Sequence, residues 1–130
     1  MNVLWYQTLV KPAFTPSPSY FPIAWSILYI LMGVAFVIIL YKPPSKVKSY
    51  AINLFLIQLI FNLLWSYIFF DLQSIEYALV DLGLLLILLV ITIFYYFKLS
   101  KISGILLIPY LLQVIFAMYL NIGLLLLNKM

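Results

Sequence analysis

The chain has 130 residues and a formal net charge of +4, and 68% of its residues are hydrophobic, against the roughly 45–50% that is usual in soluble globular domains. Seven basic and three acidic residues are too few to coat a water-facing surface, which excludes an ordinary soluble domain and predicts solvation by lipid. The absence of His and Cys from the sequence excludes disulfides, Cys/His zinc sites, haem held by His and catalytic triads built on these residues.

The first 21 residues precede the first long apolar stretch and contain Pro12, Pro16 and Pro18, so they cannot form one continuous helix. Only ten residues come before Lys11, too few to cross a hydrocarbon core about 30 Å thick. We therefore expect residues 1–21 to form a loop outside the spans, on a single membrane domain that covers residues 1–130.

Four apolar stretches follow, each long enough for a helix of the roughly 20 residues that a bilayer requires. The predicted helices cover about residues 22–41, 49–70, 75–97 and 102–128. Pro22 stands in a first turn, where a proline costs no hydrogen bond, whereas Pro109 predicts a kink or a late start in the fourth helix. Because the connections are short, neighbouring helices must be antiparallel. The sequence predicts an all-α, polytopic bundle of four transmembrane helices.

The charges predict the orientation of the bundle, because Lys-rich loops stay on the cytoplasmic side. The first and third connections contain only basic charges, namely Lys42, Lys46, Lys48, Lys98 and Lys101. The opposite face combines Lys11, Lys129, Asp71 and Glu76. We therefore predict that both termini lie on the outer side. Because the lysines are scattered and form no basic patch, they indicate no nucleic-acid partner. Their distribution between the loops is that of a protein whose partner is the lipid bilayer.

Polar side chains recur at helical spacing within the predicted spans. On the second helix they are Gln58, Asn62 and Ser66, next to Trp65; on the fourth they are Tyr110, Gln113 and Asn121, with Ala117; on the first, Trp25 and Tyr29 share a face. Amides are costly against lipid, so these faces should point into the bundle. Two interpretations stay open: the amides join the helices, or they contact a flat apolar ligand with few polar groups.

Asp81 is the only acidic residue that the sequence places inside a span. An intramembrane carboxylate raises the hypothesis of a proton relay or a cation site. The structural alternative is an Asp that is protonated, or bonded to an amide, and that ties the third helix to Asn62 or Gln58.

Ordered motifs along the whole chain resemble one known family. They are Trp5-Tyr6, Leu9-Val10-Lys11-Pro12, Thr15-Pro16, Trp25-Ser26-Ile27-Leu28-Tyr29, Gln58-Leu59 with Asn62, Trp65-Ser66, Phe69-Phe70, Ala78-Leu79-Val80-Asp81, Pro109-Tyr110-Leu111-Leu112, Phe116-Ala117 and Tyr119-Leu120-Asn121. In this order they resemble the TspO/translocator-protein family, the tryptophan-rich sensory proteins.

The resemblance implies an integral protein of a prokaryotic cell membrane that binds a tetrapyrrole, protoporphyrin IX or haem, or a sterol-like molecule, in sensing or transport. The tetrapyrrole would be a ligand, and no cofactor is required. The resemblance also implies that the N-terminal loop, residues 1–21, forms a lid over the ligand pocket; it is called the lid below. The lid would contribute Trp5, Tyr6 and Pro16. Together with the polar faces, the candidate ligand contacts are Trp5, Tyr6, Pro16, Trp25, Tyr29, Asn62, Trp65, Phe69, Asp81, Gln113, Ala117 and Asn121.

The chain departs from the family pattern in two respects. Family members have five spans, and the helix that would precede Trp5 is missing from the four predicted here, so a second copy or a partner helix would have to supply that wall. Gln113 stands where many members have a Trp that is implicated in the photochemical breakdown of porphyrin. We therefore expect no catalytic residues, no metal site and little or no breakdown activity.

Two other functions fit the sequence. One is a small four-span dimeric transporter that uses Asp81 as its coupling carboxylate. The other is a non-catalytic membrane subunit whose polar faces bind only partner helices.

Overall fold

The computed structural model describes residues 3–13, 15 and 20–128, and in that part of the chain it consists of helices joined by short turns. The helices are α1 (Val3–Gln7), α2 (Tyr20–Leu40), α3 (Lys46–Ser66), α4 (Ile75–Leu99), α5 (Lys101–Leu106) and α6 (Ile108–Leu127). One π-helical turn, Tyr67–Asp71, continues α3.

Four helical segments of the described chain are long and apolar enough to cross a membrane. They are Pro22–Leu40, Lys46–Asp71, Ile75–Leu99 and Lys101–Leu127, with mean hydropathies between 1.8 and 2.6. Their outward faces carry large exposed apolar side chains such as Ile23, Ile30 and Ile87, which lipid, unlike water, solvates without cost. The predicted all-α membrane fold with four spans is therefore confirmed.

Serine caps account for the helix starts that differ from the sequence prediction. The third described α-helix begins at Lys46 rather than at the predicted residue 49, because the Ser45 hydroxyl accepts a hydrogen bond from the Lys48 amide at 3.0 Å. Ser74 and Ser100 cap α4 and α5 in the same way. Each cap satisfies a backbone N–H that a helix would otherwise leave without an acceptor.

The lid is not entirely a loop, since α1 forms one helical turn and more at Val3–Gln7. Helix α2 begins at Tyr20 rather than at the predicted Pro22, and Pro22 lies in its first turn, where the missing N–H needs no acceptor.

The fourth span is broken at Leu107, between α5 and α6. The Leu107 amide donates to the Gly104 carbonyl at 3.2 Å in a tighter turn. Pro109, the second residue of α6, lies just after the break, where a proline in the first helical turn leaves no acceptor unpaired. The kink or late helix start that Pro109 predicts is therefore present at this point.

Helix α4 packs against α3 on one side and α6 on the other, while α2 packs against α3, α5 and α6. Stacked rings join three helices at the core: Phe36 lies 4.8 Å from Phe55, which lies 5.9 Å from Tyr96. The Ser103 hydroxyl donates to the Ala35 carbonyl at 3.1 Å and ties α5 to α2. These contacts hold helices α2 to α6 in fixed positions around the site described below.

We expect the turns before α3 and before α4 to lie on opposite sides of the membrane, because one span separates them. The sequence contains no cysteine, so Pro44→Cys and Leu72→Cys, at two exposed positions, each report one turn. In intact cells an impermeant maleimide should label Leu72→Cys, while Pro44→Cys should react only after permeabilisation. Labelling of both variants in intact cells would contradict the predicted orientation.

Candidate functional site

Four polar side chains from α2, α3 and α6 form one hydrogen-bonded chain inside the bundle. The fully buried Tyr110 hydroxyl accepts from Asn62 Nδ2 at 2.9 Å and donates to Gln58 Oε1 at 2.7 Å. Asn62 Oδ1 accepts a hydrogen bond from the Tyr29 hydroxyl, and Gln58 Nε2 donates to the Phe55 carbonyl at 2.8 Å. Because these hydrogen bonds link side chains on three helices, they fix the rotation of each helix about its own axis.

A second polar link joins α3, α4 and α6 on the side of the bundle that faces the lid. The Trp65 indole N–H donates to Asn121 Oδ1 at 3.0 Å, and Asn121 Nδ2 donates to the Ile75 carbonyl at 3.0 Å. The Trp65 ring is stacked on Phe69, with centroids 5.0 Å apart. This indole is therefore held by a hydrogen bond at its edge and by a second ring on its face.

Both polar groups contribute to the wall of a cavity of about 190 Å³. Aromatic and aliphatic side chains make up most of the wall, and a few amides and hydroxyls interrupt them. The lining residues are Tyr6, Pro22, Trp25, Tyr29, Asn62, Trp65, Ser66, Phe69, Phe70, Gln113, Ala117, Leu120, Asn121 and Leu124. Such a lining suits an apolar ligand that carries a small number of polar groups.

The structure brings most of the sequence-predicted contacts together at this cavity. They are Tyr6, Trp25, Tyr29, Asn62, Trp65, Phe69, Gln113, Ala117 and Asn121. Trp5 is absent from the wall and packs edge-on against the wall residue Phe69, with centroids 5.4 Å apart. Pro16, predicted to belong to the lid, lies outside the described residues.

Sequence reasoning did not assign five of the lining residues to the site: Pro22, Ser66, Phe70, Leu120 and Leu124. The spacing of Leu120 and Leu124 from Ala117 could have found two of them, since residues three, four and seven apart share a helix face. Phe70 belongs to the Phe69-Phe70 motif, of which only Phe69 was assigned to the site. The π-helical turn buries the adjacent Phe69 and Phe70 together, although an α-helix would turn them about 100° apart.

Asp81 is buried, with 6% of its surface exposed, but it does not line the cavity. It lies close enough to Tyr110 for an electrostatic interaction, and its Oδ2 has no hydrogen-bond partner in the described chain. The amides of Gln58 and Asn62 bond to Tyr110 instead, so the predicted link between them and Asp81 is not formed. Because α4 packs against α6 and α3, Asp81 lies in this helix contact, and we remove it from the candidate ligand contacts.

Hydrogen bonds latch the described part of the lid to α6. The Asn128 side chain binds both backbone groups of Val10: its Oδ1 accepts from the amide at 2.9 Å, and its Nδ2 donates to the carbonyl at 2.7 Å. The Tyr119 hydroxyl donates to the Ala13 carbonyl at 2.6 Å. The lid is therefore held by side chains of the last helix and its cap.

Two further contacts support this arrangement, one between the lid and α6 and one within the lid. A Cβ atom added at Gly123 would lie 2.7 Å from the Pro12 ring, so a glycine is required for this approach of the lid to α6. Lys11 Nζ lies 4.9 Å from the centroid of the Tyr6 ring and donates to the Leu9 carbonyl at 3.2 Å. Burial raises the pKa of the Tyr6 phenol, so this cavity group stays neutral at physiological pH.

Known proteins are similar to this chain over nearly its full length. The profile of the TspO/MBR family matches residues 1–127. The tryptophan-rich protein TspO of Chlorobaculum tepidum is 44% identical over 125 residues, which cover 95% of this chain and 79% of that protein. The protein of the same name from Archaeoglobus fulgidus is 41% identical over 127 residues, covering 95% and 80%. The tryptophan-rich sensory protein of Cereibacter sphaeroides is 32% identical over 117 residues, covering 90% and 72%.

Replacing Asn128 by Ala should release the lid without unfolding the bundle. The change removes two hydrogen bonds to Val10, each worth about 1 kcal/mol, so amide exchange at Val10 and Lys11 should accelerate by about tenfold or more. Hydrogen–deuterium exchange measures the effect. Asn53→Ala, at an exposed amide on α3, is the matched control and should leave these rates unchanged. Equal exchange in the natural protein and the Asn128 variant would show that this side chain does not hold the lid.

Proposed function

This chain belongs to the TspO/MBR family, and we propose that it binds a flat, largely apolar ligand of the tetrapyrrole class in the cavity under the lid. The observation that carries the proposal is the cavity wall: aromatic rings interrupted by a few oriented amides. The proposed role is sensing of this ligand in the membrane. The name of the Cereibacter sphaeroides relative, a tryptophan-rich sensory protein, supports that role.

The arrangement of rings supports a planar ligand. Trp25 packs against Tyr29 at 5.9 Å and meets Tyr110 edge-on at 6.1 Å. On α3, Trp65 and Phe69 form a stacked pair that also lines the cavity. Flat conjugated molecules gain from offset and edge contacts with such rings beyond the apolar area that is buried. Several rings that are already held in place make this gain available at a small entropic cost.

The cavity volume shows what binding must change. At about 190 Å³ the space is smaller than the roughly 300–1,000 Å³ of pockets for drug-sized ligands, so a whole tetrapyrrole requires displacement of the wall. The lid is attached to α6 by exposed hydrogen bonds at Val10 and Ala13, and its wall residue Tyr6 packs against Phe69 and Phe70. We propose that the lid opens to admit the ligand and then closes over its edge.

Metal-free protoporphyrin IX is the appropriate test ligand. The sequence has no His or Cys to ligate haem iron, and the cavity offers Tyr6 and Tyr29 as its phenols. Recognition in the proposal therefore rests on the macrocycle and its substituents, with no requirement for a metal.

Replacing Trp25 by Ala should weaken protoporphyrin IX binding by about tenfold, because one ring that contacts the planar ligand is lost. The measurement is titration of the purified protein, following the Soret band and the quenching of tryptophan fluorescence. Phe94→Ala removes an exposed aromatic ring on α4 and serves as the matched control with unchanged affinity. Equal affinity of the Trp25 and Phe94 variants would place the ligand elsewhere.

Light-driven breakdown of bound porphyrin should be slow or absent. A photo-oxidised ring needs electron donors close by; Trp25 and Trp65 line the cavity, but Gln113 on the same wall cannot supply an electron as a further Trp would. Gln113→Trp should therefore accelerate the loss of Soret absorbance under illumination, whereas Gln113→Leu should not. Rapid bleaching to a new product by the natural protein, at a rate that the Trp does not change, would refute this prediction.

A further inference from the structure

Gln113 is held in one orientation at the cavity wall. Its side chain is 8% exposed and lines the cavity. The Tyr20 hydroxyl donates to its Oε1 at 2.8 Å, and the Tyr20 ring meets Phe116 edge-on at 6.3 Å. A hydrogen bond therefore fixes one end of the amide, and packing of the donor ring supports that bond. The amide nitrogen Nε2 takes no part in this hydrogen bond.

Nε2 of Gln113 has no acceptor among the described residues, although it is buried. Three other nitrogen donors on the wall differ in this respect. Asn62 Nδ2 donates to Tyr110, Trp65 Nε1 donates to Asn121, and Asn121 Nδ2 donates to the Ile75 carbonyl. A buried N–H without an acceptor is costly in apolar surroundings, and the cost disappears when a partner arrives. The unsatisfied amide is therefore a polar contact that a ligand can complete.

The charges around the cavity favour an oxygen acceptor on the ligand. No acidic residue is among the lining residues of the described chain, so nothing at the wall would repel a carboxylate. An N–H donor on such a wall stabilises an oxygen that carries a negative or partial negative charge.

We propose that Gln113 Nε2 forms a subsite for an acceptor oxygen, a carboxylate or a carbonyl, at the edge of the ligand. The subsite rests on the proposed function and narrows it: the protein prefers flat apolar molecules that carry such an oxygen over otherwise equal molecules that lack it. Gln113 is then a specificity-determining residue, and Tyr20 is the positioning residue that holds the amide by its oxygen and leaves Nε2 as the end available to a ligand.

The test compares two porphyrins that differ in their carboxylates. Mesoporphyrin IX carries two propionate groups where etioporphyrin carries ethyl groups. The natural protein should bind mesoporphyrin IX more tightly, and Gln113→Leu should weaken that binding by about tenfold, as expected for the loss of one hydrogen bond to a charged acceptor. The same variant should bind etioporphyrin as the natural protein does. Asn53→Leu, at an exposed amide on α3, should change neither affinity.

The outcomes separate the subsite from the proposed function. If Gln113→Leu weakens both porphyrins equally, or neither, the subsite is overturned while porphyrin binding stands. If the natural protein binds neither porphyrin, the proposed function and the subsite fail together. Thermal unfolding without ligand guards against misfolding: the Leu variant should be at least as stable as the natural protein, because it no longer buries an unsatisfied N–H.

Discussion

The hydrogen bonds of the Tyr110 hydroxyl hold the other parts of the site in position. This group accepts from Asn62 and donates to Gln58, and Asn62 accepts from Tyr29, so one oxygen on α6 joins α3 and, through it, α2. In lipid no water replaces a lost partner, and interhelical hydrogen bonds of this kind are worth about 0.6–2 kcal/mol each. A rotation of any one of the three helices would break the chain. These hydrogen bonds therefore fix the positions of the side chains on the cavity wall.

The wall and the lid are stabilised in different ways. The wall depends on buried hydrogen bonds and stacked rings, such as the Trp65–Asn121 and Trp65–Phe69 contacts. The described part of the lid is attached in two ways: Val10 and Ala13 by exposed hydrogen bonds from Asn128 and Tyr119, and Trp5 and Tyr6 by ring contacts with Phe69 and Phe70. Segments with few buried contacts open at a lower free energy than the core does, so the stretch from Val10 to Ala13 should open first. The fold therefore combines a rigid recognition surface with a cover that can be displaced while the bundle stays intact.

The sequence predicted the features that follow from the cost of polar groups in lipid. It did not predict the features that depend on how several helices pack together. The four spans and the inward amides of Gln58 and Asn62 follow from the cost of polar groups in lipid, and Pro109 indicated the break before α6 because a proline lacks the backbone donor. The neighbours of Asp81 could not be predicted, because its spacing along one helix does not show which helix packs on that face. Phe70 was missed since an α-helical period does not describe a π-helical turn.

That π-helical turn, Tyr67–Asp71, has a consequence for which changes of chain length the protein tolerates. A π turn accommodates one more residue than the α-helical turn it interrupts. Deleting any single residue between Tyr67 and Asp71 would restore regular α-helix, and Phe69 and Phe70 could no longer both face the cavity. Deletion of Gln73, an exposed residue of the turn that follows, would remove neither the π-helical turn nor the Ser74 cap of α4. Length variation among natural homologues should therefore avoid the last turn of this span, even though it adjoins a surface loop, where insertions and deletions are usually accepted.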